Sequence, residues 1–198
     1  MNNDISVNLG DSASAIRYDK TSIWLHWITA VSVVALWGLG QGIDFFPRGT
    51  PRLAARSVHI LLGGTLGALL MGRILWRMRW GRRLPRATPR FMGYLATLTH
   101  WILYGLVAAT VILGVANAWI RGDTIIWLGK IPSLAPGDRE LRGLIEDLHS
   151  TAANIIMIAA GLHAGAALVH HFVLRDKVLR RMLLRRLVLP NRCELLGD

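Results

Sequence analysis

Cysteine occurs once in the 198 residues, at Cys193. A single thiol excludes disulfides, and Cys-ligated zinc or iron–sulfur centres, within one chain. Acidic residues are scarce as well, 12 Asp and Glu against 23 Lys and Arg, for a net charge of +11. No carboxylate lies deep inside any long apolar run, so carboxylate-ligated metal chemistry has no ligands there. Internal repeats and low-complexity tracts are missing. No cleavable leader is expected: the first twenty residues are polar, and the apolar run after them exceeds an h-region. The first apolar segment is therefore expected to serve as its own uncleaved signal.

What is abundant is apolar sequence, 53% of the chain, with a positive mean hydropathy despite the basic residues. Both features hold because the charges cluster between uncharged runs. Four runs qualify as spans: Thr21–Ile43, Ser57–Gly72 (lengthened through Trp76 by snorkelling of Arg56 and Arg73), Phe91–Ile120 and Ser150–Leu174. Each approaches the roughly 20 residues that cross a hydrocarbon core of about 30 Å. The expected class is all-α, an integral membrane four-helix bundle. Its parts are a segment 1–20, a helical domain 21–174 and a basic tail 175–198.

Lys and Arg concentrate in the N-terminal segment, the connection between the second and third spans, and the tail. By the positive-inside rule both termini are cytoplasmic. The charge is thus a topology signal in membrane lipid, and no nucleic-acid partner is expected. The eight tryptophans fall mainly near span ends, as an aromatic belt requires. The longest connection runs from Gly122 to Asp147.

Histidines inside spans are costly unless their nitrogens are taken. His59 and His149 lie at matching depths near the outer face, and His26 lies near the cytoplasmic one. His149 and His163 are 14 residues apart, about 40° short of four full turns, so both project from one helix face about 21 Å apart. Depths counted from the outer charges pair His26 with His163. Depths counted from the cytoplasmic charges favour His170, and both partners stay open on this ground.

Two sites, each between two histidines, poorly suit zinc, which wants four ligands. Haem brings four nitrogens of its own and needs two axial ligands, so bis-histidine haem in a bundle is the economical reading. No C-x-x-C-H string is present, so the haem is expected to be non-covalent b-type. Gly63, Gly64 and Gly67 keep one helix surface thin for a flat macrocycle, although the glycine spacings also suit close helix packing.

The strings "YDKTSIWLHW", "SVHILLGG", "LTHWILYGLV", "DLHSTAANI" and "GLHAGAALVHHFVLRD", in that order, resemble the prokaryotic cytochrome b561 family. The resemblance runs from about Arg17 to Met182. It implies a four-helix di-haem protein of the bacterial inner membrane. It further implies that His26 and His163 bind the cytoplasmic-side haem, and His59 and His149 the periplasmic-side haem. Bis-histidine iron has no open position, which leaves one-electron transfer.

A lipid quinone, ubiquinone, is the expected acceptor, with Arg17, His100, His170 and Arg175 as candidate quinone or proton-handling residues. His100 is a candidate partner of a haem carboxylate, a quinone or another helix. For the periplasmic donor two readings compete. Some members of the family oxidise superoxide, and Arg121, Lys130, Arg139 and Arg142 would attract an anion. Alternatively the chain is the membrane electron-transfer subunit of a periplasmic dehydrogenase or cytochrome, docking through Glu146, Asp147 and neighbouring acids.

Overall fold

The computed structural model describes residues 18–81, 90–126, 128–176 and 178–183. Arg17, Trp127, Cys193 and most of the basic tail lie outside them. Four long helices carry the fold: α1 (Lys20–Gly42), α2 (Thr50–Arg79), α3 (Arg90–Arg121) and α4 (Arg139–Phe172). All four are long and apolar enough to cross a membrane. The all-α, four-span expectation holds.

The start of each helix has a local cause. Asp19 caps α1, its carboxylate accepting from Ser22 N at 2.9 Å and from the Ser22 hydroxyl at 2.8 Å. Pro51 sits in the first turn of α2, where its missing N–H costs nothing. Asp138 caps α4 by accepting from Leu141 N at 2.9 Å, with Glu140 in the positive first turn.

That cap corrects the expected fourth span. α4 begins at Arg139, not near Ser150, and runs 34 residues, roughly 51 Å, so its first turns project beyond the hydrocarbon. The polar face of "RELRGLIED" hid a helix start that a hydropathy criterion passes over.

Packing follows chain order: α1 on α2, α2 on α3, and most extensively α3 on α4, with α1 touching α4 only sparsely. The core is small, centred on Leu36, Leu66, Leu70, Val107 and Ile156. Large apolar side chains such as Ile112, Ile158 and Leu162 point outward, as they do where lipid is the solvent. Between α3 and α4 a two-residue antiparallel ladder pairs Thr124 with Lys130 and Ile125 with Gly129. Ser57 on α2 ties this hairpin down, its hydroxyl accepting from Ile126 N at 3.1 Å.

The start of α1 meets the segment that follows α4 and the end of α2 at one end of the bundle. Trp27 Nε1 donates to the Met182 carbonyl at 2.9 Å, and Trp76 Nε1 on α2 donates to Asp19 at 2.9 Å. Several tryptophans are thus pins between segments as well as belt residues. Asp19→Ala removes the α1 cap and the Trp76 bond together. The expected cost is about 1–2 kcal/mol, read as a melting midpoint lowered by a few degrees in detergent.

Candidate haem-binding site

Two histidine pairs form at two levels of the bundle. At the level nearer the loop between α3 and α4, His59 on α2 and His149 on α4 have ring centres 6.1 Å apart. At the level nearer the chain ends, His26 on α1 and His163 on α4 have ring centres 6.4 Å apart. Imidazoles bonded to one metal at about 2 Å each put their ring centres roughly 6 Å apart, so both spacings suit a shared metal. Among the described residues no group of three or more His, Cys, Asp or Glu is placed to hold a bare metal ion. Pairs need a macrocycle to complete the coordination.

The loop-level pair is set for that role. His149 Nδ1 lies 3.0 Å from the Thr110 carbonyl, an acceptor, so the proton is on Nδ1 and Nε2 keeps its lone pair. His59 Nδ1 is buried with no hydrogen-bond partner among the described residues. A cavity of about 360 Å³ adjoins both rings, walled in part by Gly63, Gly64 and Ala153.

Two glycines that the sequence did not single out decide the room available here. A Cβ on Gly40 would lie 3.2 Å from His59 Cε1, and one on Gly114 would lie 3.0 Å from His149 Cε1. Gly67, expected to thin the haem wall, serves packing instead, since its Cβ would lie 3.0 Å from Val111 on α3.

The terminal-level pair has closer company. The His100 ring centre is 5.3 Å from that of His163, edge to face, shorter than a shared iron allows. His100 Nδ1 is 2.5 Å from the Ala96 carbonyl of its own helix. Arg73, expected only to snorkel, turns inward: its Nη2 donates to His26 Nδ1 at 2.9 Å, and its guanidinium lies 5.2 Å from the Tyr104 ring centre. Sequence reasoning missed this because Arg73 opens a dense run of basic residues.

His170 stands apart from both pairs. Its Nδ1 meets Asp176 Oδ2 at 2.5 Å, beyond the α4 C-terminus. The seven residues from His163 to His170 span roughly 10 Å of helix, so His170 lies at the rim. Arg175 adopts a left-handed backbone, φ +51°, just after α4. Of the candidate quinone and proton residues, His100 sits beside the terminal-level pair, whereas His170 and Arg175 sit at its rim.

Between the levels, Asn154 on α4 joins two side chains of α1. Asn154 Oδ1 accepts from Trp37 Nε1 at 2.9 Å and from Gln41 Nε2 at 3.4 Å. At the loop end an ion-pair chain closes the bundle. Arg56 meets Asp123 at 3.4 Å, Asp123 meets Arg121 at 3.5 Å, and Arg121 meets Glu146 at 2.9 Å. The Arg121 side chain is only 10% exposed, so it offers little open positive charge.

The chain's likeness to known proteins falls on the segment that carries these sites. The family model for prokaryotic cytochrome b561 matches residues 17–185. A probable superoxide oxidase, CybB, of Yersinia pestis is 32% identical over 170 residues, covering 84% of this chain and 96% of that protein. Cytochrome b561 homolog 1 of Escherichia coli (strain K12) is 32% identical over 173 residues, covering 86% of this chain and 98% of that protein. Cytochrome b561 homolog 2 of the same organism is 28% identical over 176 residues, covering 84% and 91%.

Proposed function

The chain belongs to the prokaryotic cytochrome b561 family, b-type cytochromes of electron transfer that span the bacterial inner membrane, and on that premise we propose that it holds two b haems and carries single electrons between a periplasmic donor and ubiquinone. The observation that carries this reading is the pair of histidine contacts, with ring centres 6.1 Å and 6.4 Å apart at two depths. A bound b haem supplies a one-electron couple at an iron with no open position.

The chain's own residues have separable tasks in this proposal. His59 and His149 hold the loop-level haem, and the Thr110 carbonyl orients His149. His26 and His163 hold the terminal-level haem. A guanidinium only donates, so its bond to His26 Nδ1 and an iron bond at Nε2 of a neutral ring exclude each other. Arg73 is the cation beside this pair, suited to the anionic propionates of b haem, and would give up His26 to meet them in the loaded protein. The separation of 14 positions from His149 to His163 sets the pairs roughly 21 Å apart along α4, most of the hydrocarbon thickness.

The name of the Yersinia relative favours superoxide as donor. A redox-protein donor is the second reading. It is favoured by the ion-pair chain Arg56–Asp123–Arg121–Glu146, which leaves a loop end of mixed sign. Purified protein that reduces ubiquinone with superoxide alone supports the first, and a requirement for a co-purifying partner supports the second.

Haem extraction and an optical spectrum test the core of the proposal. Two b haems per chain with low-spin spectra are expected. A ratio of one, or a high-spin spectrum in intact protein, rejects it.

A further inference from the structure

Beyond α4 the chain folds back as a strap. Val173 N and Leu174 N donate to the Val169 carbonyl at 2.9 Å and 3.1 Å, and Asp176 N to the His170 carbonyl at 3.0 Å. The left-handed Arg175 between them makes the reversal. The strap then lies against the start of α1, where the Arg181 carbonyl accepts from Tyr18 N at 3.4 Å and the Met182 carbonyl from Trp27.

The strap's product is a fixed carboxylate on a histidine. Both Asp176 oxygens are engaged, Oδ2 by His170 Nδ1 and Oδ1 by Val178 N at 3.0 Å, an Asx turn that locks the side chain. Burial works to raise the Asp176 pKa. The His170 and Val178 hydrogen bonds, with the charges of His170 and Arg181, outweigh it and hold the carboxyl below its ordinary range. Asp176 stays ionised at neutral pH, and an ionised carboxylate beside Nδ1 keeps that nitrogen protonated. Nε2 is then the ring nitrogen left for another partner. The adjacent His171 has no such partner: its Nδ1 is buried and unbonded among the described residues.

We infer that Asp176 is a positioning residue that orients His170 as the proton donor to a quinone bound at the terminal end of the bundle. The inference rests on the quinone reading above and names its proton path. Each quinone takes two electrons from the chain's one-electron centres and two protons through His170. In each transfer the Nε2–H bond breaks, an O–H bond forms on a quinone oxygen, and the neutral imidazole regains a proton from the aqueous phase at that end. Asp176 exchanges no proton. Its part is electrostatic and orientational, and general acid catalysis by a positioned imidazole is worth about 100-fold or more.

Asp176→Asn and Asp176→Glu in the full chain with both haems test this. Dithionite-reduced protein is mixed with ubiquinone-1, and haem reoxidation is followed at the α band. Ferricyanide, an acceptor that needs no proton, is the parallel oxidant. Ubiquinone-1 affinity is measured separately on oxidised protein.

Asp176→Asn is expected to keep both haems, ubiquinone-1 affinity and the ferricyanide rate, while the quinone rate falls by about tenfold or more. Asp176→Glu should recover part of it. Equal quinone rates in wild type and Asp176→Asn overturn the inference, and so does an equal loss with both oxidants, which marks a purely structural role. Failure of wild type to react with ubiquinone-1 sinks the quinone reading itself, a result distinct from either.

Discussion

His163→Ala is expected to remove one of two low-spin haem signals, the same one that His26→Ala removes, leaving each variant with one haem per chain against an expected two in wild type. His170→Ala should keep both and slow quinone-driven reoxidation alone. The sequence left His163 and His170 as rival partners of His26, because depth counted from opposite charge layers chose differently. Position in the bundle separates them. The His163 ring lies 6.4 Å from that of His26, while His170 is bonded to Asp176 at the rim, roughly 10 Å further along α4. His100 is the nearer neighbour of His163, at 5.3 Å, yet its Nδ1 is bonded within its own helix and its ring meets His163 edge to face. His100→Ala should therefore retain two haems. Haem-to-protein ratios across these variants check the assignment. Retention of both haems in His163→Ala with loss of one in His170→Ala would reverse it and leave the two-haem reading standing.

The four spans were legible because hydrocarbon imposes length and apolarity on any helix that crosses it. Matched histidine depths were legible for a related reason, since helical rise converts residue number into height. Long-range side-chain direction was not. Arg73 resembles its basic neighbours in the sequence, and only the packing of α2 beside α1 and α3 turns it toward His26 and Tyr104. Asp176 reads as an ordinary loop acid until Arg175 reverses the chain and brings it back to His170. The extra turns of α4 escaped a hydropathy criterion because polar residues dominate there. Arg121 looked available to an anion until the fold set it between Asp123 and Glu146.

Gly40 and Gly114 show the same limit with a larger consequence. Neither belongs to a motif with His59 or His149, and each faces the imidazole across a helix interface. The expected results are that His59→Ala loses the loop-level haem and largely spares the other, and that Gly114→Leu does the same without replacing a ligand. A Cβ at Gly114 already lies 3.0 Å from His149 Cε1, close enough that the imidazole has to give by a few tenths of an ångström. The longer side chain has to push the imidazole off its Thr110 carbonyl, and overpacking of this kind costs typically about 1–3 kcal/mol. The terminal-level pair sits on different neighbours, so its haem is expected to stay. Gly161→Ala is the control, because a Cβ there meets nothing within 4 Å, and it should bind two haems. Loss of both haems from well-folded His59→Ala would count against separate sites. Full retention in Gly114→Leu would show that His149 has room to move, and that the glycine is not what shapes its side of the site.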